Sequence, residues 1–154
     1  MTKKVKMTEI LPHSGIMKNN EHIFPVRVYY EDTDVGGVVY YANYLKYLER
    51  ARSEMLGMLA IDQAEMLHYN KADDVSFVVR RCEVDFKLSA RLDDCLNVRT
   101  QIINLGGASI IMQQDIFKNG ICIIEAIIKI AVIDKSGKPK KLPKLIAEKF
   151  EKLL

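Results

Sequence analysis

The sequence predicts an α+β fold in which a curved antiparallel sheet wraps around one long helix. Two hydrophobic periods support this prediction. Between residues 44 and 59, apolar side chains recur every three or four positions, as in a helix with one buried face. This stripe consists of Tyr44, Leu48, Ala51, Met55 and Leu59. Beyond Asp74 the period becomes two, which is typical of half-buried strands. One helix is therefore available to cover one face of a sheet.

The other elements before the hairpin are predicted in chain order. A β-rich segment covers residues 24–31, where apolar and polar side chains alternate. After the long helix, a shorter helical segment covers residues 62–69, with Asp62 as its N-terminal cap. Three strands then follow at 78–88, 96–102 and 108–117.

Asn119-Gly120 predicts a tight hairpin, because both central residues of a type I′ turn need positive φ. The next segment, 121–133, is apolar at every even position, so we expect a central strand there. Leu142, Ile146, Phe150 and Leu153 indicate a terminal helix. Residues 1–22 are polar without sustained periodicity. They are expected to form a flexible extension, which leaves residues 23–154 as one domain.

Composition excludes several classes of function. The net charge of +3 arises from 23 basic and 20 acidic side chains, which is too balanced to indicate a nucleic-acid partner. Cys82, Cys95 and Cys122 form no CxxC pattern and predict neither a zinc site nor a disulfide framework, so no metal is expected. A signal-peptide core and an apolar run of about 18 residues are both lacking, so we expect a cytoplasmic protein without a transmembrane segment.

The richest chemistry lies between the first strand and the long helix. Glu31-Asp32-Thr33-Asp34 brings three carboxylates together, and Gly36-Gly37 follows at once. Two glycines let the backbone approach a ligand without a Cβ in the way. The unpaired N–H groups at the start of the helix then face the loop. This arrangement can attack a carbonyl and stabilise the negative charge that develops on its oxygen.

The segment VRVYYEDTDVGGVVYYANYLKYLERARSEML, residues 26–56, closely resembles the signature of the hotdog-fold acyl-CoA thioesterases. The most similar branch is the one associated with the Tol-Pal envelope system, and 4-hydroxybenzoyl-CoA thioesterase is a more distant relative. The stretches SFVVRR, ARLDD and KPKKLPK also look like this branch, so the resemblance covers roughly Phe24 to Phe150. It implies a hotdog fold and hydrolysis of an acyl thioester to free acid and coenzyme A.

The resemblance implies two catalytic positions. Asp34 matches the active aspartate of the family, and it would either attack the thioester or deprotonate a water. The backbone N–H of Tyr41 would polarise the thioester oxygen. The Tol-Pal-associated branch typically has a histidine at this position, whereas tyrosine is similar to the hydroxybenzoyl-CoA enzyme. Other expected substrate-binding positions are Tyr30, Gly36, Gly37, Val38, Tyr40 and Asn43.

Two further groups of residues are candidates for the site. Glu49 is an alternative catalytic carboxylate, because some hotdog thioesterases use one on the helix; its alternative role is an ion pair on the helix surface. A basic rim should receive the phosphates of coenzyme A. The candidates are Arg80, Arg81, Arg91, Lys138, Lys140, Lys141 and Lys144.

The resemblance also implies partners and leaves alternatives open. Such subunits pair through their sheets, so a homodimer or homotetramer is expected, with no cofactor besides the coenzyme A of the substrate. Acyl carrier protein is an alternative carrier, and peripheral association with the inner membrane follows from family analogy alone. A dehydratase would need a histidine in the motif, but His13, His22 and His68 all lie outside it. The remaining alternative is a non-catalytic acyl-CoA binder or an interaction subunit of a lipid or envelope complex.

Overall fold

The computed structural model describes residues 11–154, which form one antiparallel sheet and three helices. The strands are β1 (Ile16–Lys18), β2 (Glu21–Arg27), β3 (Ser76–Phe86), β4 (Cys95–Leu105), β5 (Ser109–Lys118) and β6 (Ile121–Ile133). The helices are α1 (Tyr41–Met58), α2 (Gln63–Met66) and α3 (Lys144–Glu151). A single 3₁₀ turn, Tyr30–Asp32, lies between β2 and α1. The sheet order β1-β2-β4-β5-β6-β3 confirms the predicted α+β architecture.

The sheet curves around α1. The pairing register shifts in three strand pairs, and such bulges bend and twist strands. Helix α1 packs against β2 and β4. Its predicted apolar stripe is confirmed, because Tyr44, Leu48, Ala51 and Met55 are buried and Leu59 packs against the core. The long helix is therefore fixed by its apolar face, which positions its N-terminus beside the preceding loop.

The β5–β6 hairpin also has its predicted geometry. Asn119 and Gly120 have φ angles of 50° and 75°, as a type I′ turn requires. The even positions of β6 from Ile124 to Val132 are buried and Cys122 is half-buried, which confirms the alternation. Strand β6 is hydrogen-bonded on both sides, but it lies next to the edge strand β3, while β4 and β5 occupy the middle of the sheet. The prediction of a central strand is corrected in this respect.

The sheet begins earlier than the sequence predicted. Residues 1–10 of the expected extension lie outside the described residues, but β1 and the start of β2 fall within 1–22. Asn19 and Asn20 join these strands with φ angles of 52° and 62°. His22 is fully buried. The boundary expected at residue 22 therefore lies inside the sheet, because the Asn-Asn pair closes a two-residue hairpin.

Two other elements end earlier than predicted. Strand β2 ends at Arg27 instead of continuing to residue 31, because the chain turns into the 3₁₀ segment. Helix α2 ends at Met66, and Asp62 caps it as expected through an Oδ1 that accepts the Glu65 N–H at 2.9 Å. Among residues 11–154, no helix combines the length and apolar character needed to cross a bilayer.

Candidate active site

Asp32 holds the two ends of the candidate loop together. Its buried carboxylate accepts the N–H of Tyr29 at 2.8 Å, and this bond closes the 3₁₀ turn. Its carbonyl oxygen accepts two hydrogen bonds, each at 2.9 Å, from the backbone N–H of Tyr40 and from Nδ2 of Asn43. Since these donors lie at the start of α1, Asp32 ties the loop to the helix and has a structural role.

Asp34 presents an exposed carboxylate at the tip of the same loop. Its Oδ1 accepts the N–H of Gly36 at 2.8 Å, and its carbonyl accepts the N–H of Gly37 at 3.0 Å. The backbone N–H of Asp34 donates to the carbonyl of Val38 at 2.9 Å. Among the described residues, Oδ2 accepts no hydrogen bond. One oxygen of this carboxylate is therefore oriented by the backbone, and the other has no hydrogen-bond donor within residues 11–154.

Geometry restricts substitution at both glycines of the loop. Gly37 has a φ of +76°, which residues with side chains rarely adopt. A Cβ placed on Gly36 would lie 3.1 Å from Oδ1 of Asp34. A larger residue at either position would strain the turn or displace the carboxylate.

Helix α1 begins at Tyr41 without a side-chain cap. Asn43 donates its side-chain amide to the carbonyl of Asp32, while its backbone N–H donates to the carbonyl of Tyr40 at 2.8 Å. Within residues 11–154, the N–H groups of Tyr41 and Ala42 find no acceptor. Two backbone donors at the positive end of the helix dipole are thus available to an oxyanion.

The Tyr41 side chain packs against aromatic neighbours. Its ring lies edge-on to Phe86 at 5.9 Å and to Tyr40 at 5.0 Å between centroids. Tyr44, one helical turn further on, also contacts Phe86, and its hydroxyl accepts the N–H of Ala90 at 2.9 Å. Burial raises the pKa of the Tyr44 phenol, so it remains a neutral acceptor. These contacts join the start of α1 to the end of β3 and the connection that follows.

The predicted residues from Tyr30 to Asn43 thus surround one loop-and-helix junction. Tyr30 is 83% exposed, and Val38 forms an isolated β-bridge with Arg91. Tyr44 follows this segment directly on α1, and Phe86 and Arg91 join the region from more distant parts of the sequence. Of these three, only Arg91 was a candidate for ligand binding, because of its positive charge; Tyr44 and Phe86 were expected from periodicity to pack in the core.

Apart from Arg91, the expected phosphate-binding cations do not lie at this junction within one chain. Ser76, at the start of β3, pairs with Ile133. Ile133 also forms an isolated β-bridge with Pro139, the residue between Lys138 and Lys140, so these lysines lie near the start of β3. The junction contacts Phe86, ten residues along the same strand, a span of about 33 Å. Arg80 and Arg81 lie between these ends. The basic residues were predicted from charge alone, and strand register separates them from the loop.

Several of these cations are also paired elsewhere. Arg81 forms a 2.5 Å ion pair with Glu83. Lys140 donates to the carbonyl of Ala72, and to that of Asp74 at 3.4 Å.

Glu49 lies apart from the junction and has partners of its own. It accepts from Nη2 of Arg52 at 2.7 Å and from Oγ of Ser53 at 3.0 Å. The helical rise places it about 12 Å from Tyr41 along α1. Arg52 in turn donates to Oε1 of the buried Gln114 at 2.8 Å. The ion-pair role expected of Glu49 is confirmed, and the buried Arg52–Gln114 contact had no sequence signal.

Comparison with known proteins decides the family. Residues 28–150 match the model of the Thioesterase-like superfamily, and this range includes the whole junction. The chain belongs to this superfamily. It is therefore a thioester hydrolase, and the curved sheet around α1 is the hotdog fold shared by thioesterases of known structure.

Individual relatives of this thioesterase agree with the assignment. The chain is 41% identical to the acyl-CoA thioesterase YbgC of Haemophilus influenzae, over 89% of this chain and 99% of that protein. It is 30% identical to the long-chain acyl-CoA thioesterase FadM of Escherichia coli K12, over 79% and 90% of the two chains. A probable thioesterase from Bartonella henselae superposes with a TM-score of 0.76 at 38% identity, covering 80% of this chain and 99% of that one.

Proposed function

We propose that this thioesterase hydrolyses acyl-CoA thioesters, with Asp34 as the catalytic carboxylate and the Tyr41 backbone N–H as the oxyanion donor. The observation that carries the proposal is the junction itself. A carboxylate oriented by the Gly36 N–H lies in the loop that leads directly into an uncapped helix N-terminus. The names of the relatives support a coenzyme A thioester as the substrate.

One carboxylate is sufficient for this reaction. A thiolate leaves readily because its conjugate thiol has a pKa of about 8.5, so little general-acid help is needed. Asp34 either attacks the thioester carbonyl and forms a mixed anhydride, or deprotonates the attacking water. In both routes negative charge develops on the carbonyl oxygen. The backbone donor at Tyr41 would stabilise that charge independently of the side chain, so histidine is not needed there.

We further propose that two copies of the chain pair through β3. This strand is at the edge of the sheet, and most of its residues are exposed on both faces despite their alternating sequence. Val78, Val79 and Phe86 are 42%, 48% and 45% exposed. An exposed apolar edge strand offers unpaired backbone groups to another chain. Antiparallel pairing would bring the Ser76 end of the second copy beside the junction.

Thiol release from acyl-CoAs with short, long and aromatic acyl groups tests the proposed activity. The proposal predicts turnover of at least one class, and that class would identify the acyl specificity. Coenzyme A binding without turnover of any acyl-CoA would support the non-catalytic alternative. Turnover of the same acyl group on acyl carrier protein alone would overturn the choice of coenzyme A as carrier.

A further inference from the structure

A surface cleft of about 380 Å³ lies between the β3–β4 connection and the tip of the β5–β6 hairpin. Its apolar wall includes Leu88 and Ile121, which are 54% and 58% exposed, together with Ile123. Arg91 and Lys118 line the same cleft. An apolar surface flanked by two cations suits a ligand that is partly apolar and partly anionic.

The cleft adjoins the candidate active site through Arg91. Val38 pairs with Arg91, and the adjacent Val39 donates its N–H to the carbonyl of Ala90 at 2.9 Å. A Cβ placed on Gly37 would lie only 3.8 Å from Nη1 of Arg91. Arg91 is therefore a cleft residue whose guanidinium also lies beside the loop of Asp34.

Arg91 is available for an anionic ligand, whereas the neighbouring cations are neutralised. Lys118 forms a 2.6 Å ion pair with Asp94, whose carboxylate also accepts the backbone N–H of Arg91 at 2.7 Å. Lys87 is paired with Glu125 at 2.6 Å. Within residues 11–154, the guanidinium of Arg91 has no carboxylate partner within 4 Å. Arginine binds phosphate oxygens well because its donors form a planar fork.

We propose that Arg91 binds the diphosphate of coenzyme A at this cleft. The pantetheine arm would pass Gly36 and Gly37, where no Cβ obstructs it, and the adenosine would lie on Leu88 and Ile121. This inference rests on the proposed function. It selects one cation from those that the sequence offered and sets aside Lys138 at the far end of β3.

The proposed contact between Arg91 and the diphosphate can be tested with three substrates that carry the same acyl group: acyl-CoA, acyl-4′-phosphopantetheine and acyl-pantetheine. We expect Arg91→Gln to raise KM for the two phosphorylated substrates about tenfold, equivalent to about 1.4 kcal/mol, with kcat unchanged. KM for acyl-pantetheine should not change. Lys135→Gln removes an exposed cation from a distant turn and serves as the matched control, and Lys138→Gln tests the competing site.

Several outcomes would overturn the assignment. An equal effect of Arg91→Gln on acyl-pantetheine would show that Arg91 positions the loop and does not bind phosphate. An effect on acyl-CoA alone would exclude the phosphate next to pantetheine, which acyl-4′-phosphopantetheine retains, and would move the contact to the adenosine 5′- or 3′-phosphate. A larger effect of Lys138→Gln would favour the far end of β3. If the wild type hydrolyses none of the three with a short, a long or an aromatic acyl group, the proposed function fails. Calorimetric binding of coenzyme A would then test Arg91 separately, with about tenfold weaker binding expected for the variant and unchanged binding contradicting the contact.

Discussion

Nδ2 of Asn43 donates a hydrogen bond to the carbonyl oxygen of Asp32 at 2.9 Å and fastens the candidate loop to the first turn of α1. We expect Asn43→Ala to lower the free energy of unfolding by about 1 kcal/mol and to reduce kcat, because the loop and the helix N-terminus lose a fixed relationship. Urea denaturation and thiol-release kinetics measure the two effects. Asn70→Ala is the control at an exposed asparagine. An unchanged kcat for Asn43→Ala would show that this contact does not position the site.

Gly36→Ala tests the orientation of the Asp34 carboxylate. The new methyl group would lie 3.1 Å from Oδ1, so the carboxylate must shift by a few tenths of an ångström. Because Asp34 is exposed, stability should change little while kcat falls about tenfold. Gly57→Ala is the control, since nothing lies within 4 Å of a Cβ at that position of α1. Wild-type kcat for Gly36→Ala would contradict the requirement for an oriented carboxylate.

The buried Arg52–Gln114 contact should contribute to stability. Arg52→Met would leave Oε1 of Gln114 without its arginine donor, and we expect a loss of about 1–3 kcal/mol in the free energy of unfolding. Arg50 is exposed, so the control variant Arg50→Met should change the free energy of unfolding by less than about 0.5 kcal/mol. Chemical denaturation followed by circular dichroism measures both. Equal stabilities for the two variants would show that this contact contributes no net stability.

Pairing through β3 predicts sensitivity to charge on that strand. Val78→Lys would place a cation at the proposed interface, so the mass measured by light scattering should fall towards that of one chain. Leu145→Lys changes an exposed apolar residue of α3 and should leave the mass unchanged. A wild-type mass for Val78→Lys would move the interface away from β3.

Local patterns predicted most of the fold. Side-chain periodicity and local backbone conformation depend on residues that are close in sequence. They were enough to predict the apolar stripe of α1, the alternation of β6 and the Asn119-Gly120 turn. The Asn19-Asn20 hairpin was missed although the same turn chemistry applies to it. The exposure of β3 had no such signal, since an edge strand and an inner strand can share one alternating pattern.

The same distinction between local and tertiary information applies to the candidate site. Asp34, Gly36, Gly37 and Tyr41 are close in sequence, so one segment was enough to predict their proximity. Arg91 reaches the loop only through the tertiary fold. The separation of Lys138 from the junction likewise depends on strand register, which composition cannot reveal.

The central claim is that the Asp34 carboxylate performs the chemistry, and saturating thiol-release rates of Asp34→Asn and Glu31→Gln test it most directly. Glu31 is an exposed carboxylate three residues away in the same turn region, so its variant controls for loss of negative charge near the site. We expect a fall of about 10²–10⁴-fold in kcat for Asp34→Asn, with the fold retained, and a near-wild-type rate for Glu31→Gln. A folded Asp34→Asn variant that keeps the wild-type rate would contradict the account and direct attention to Glu49.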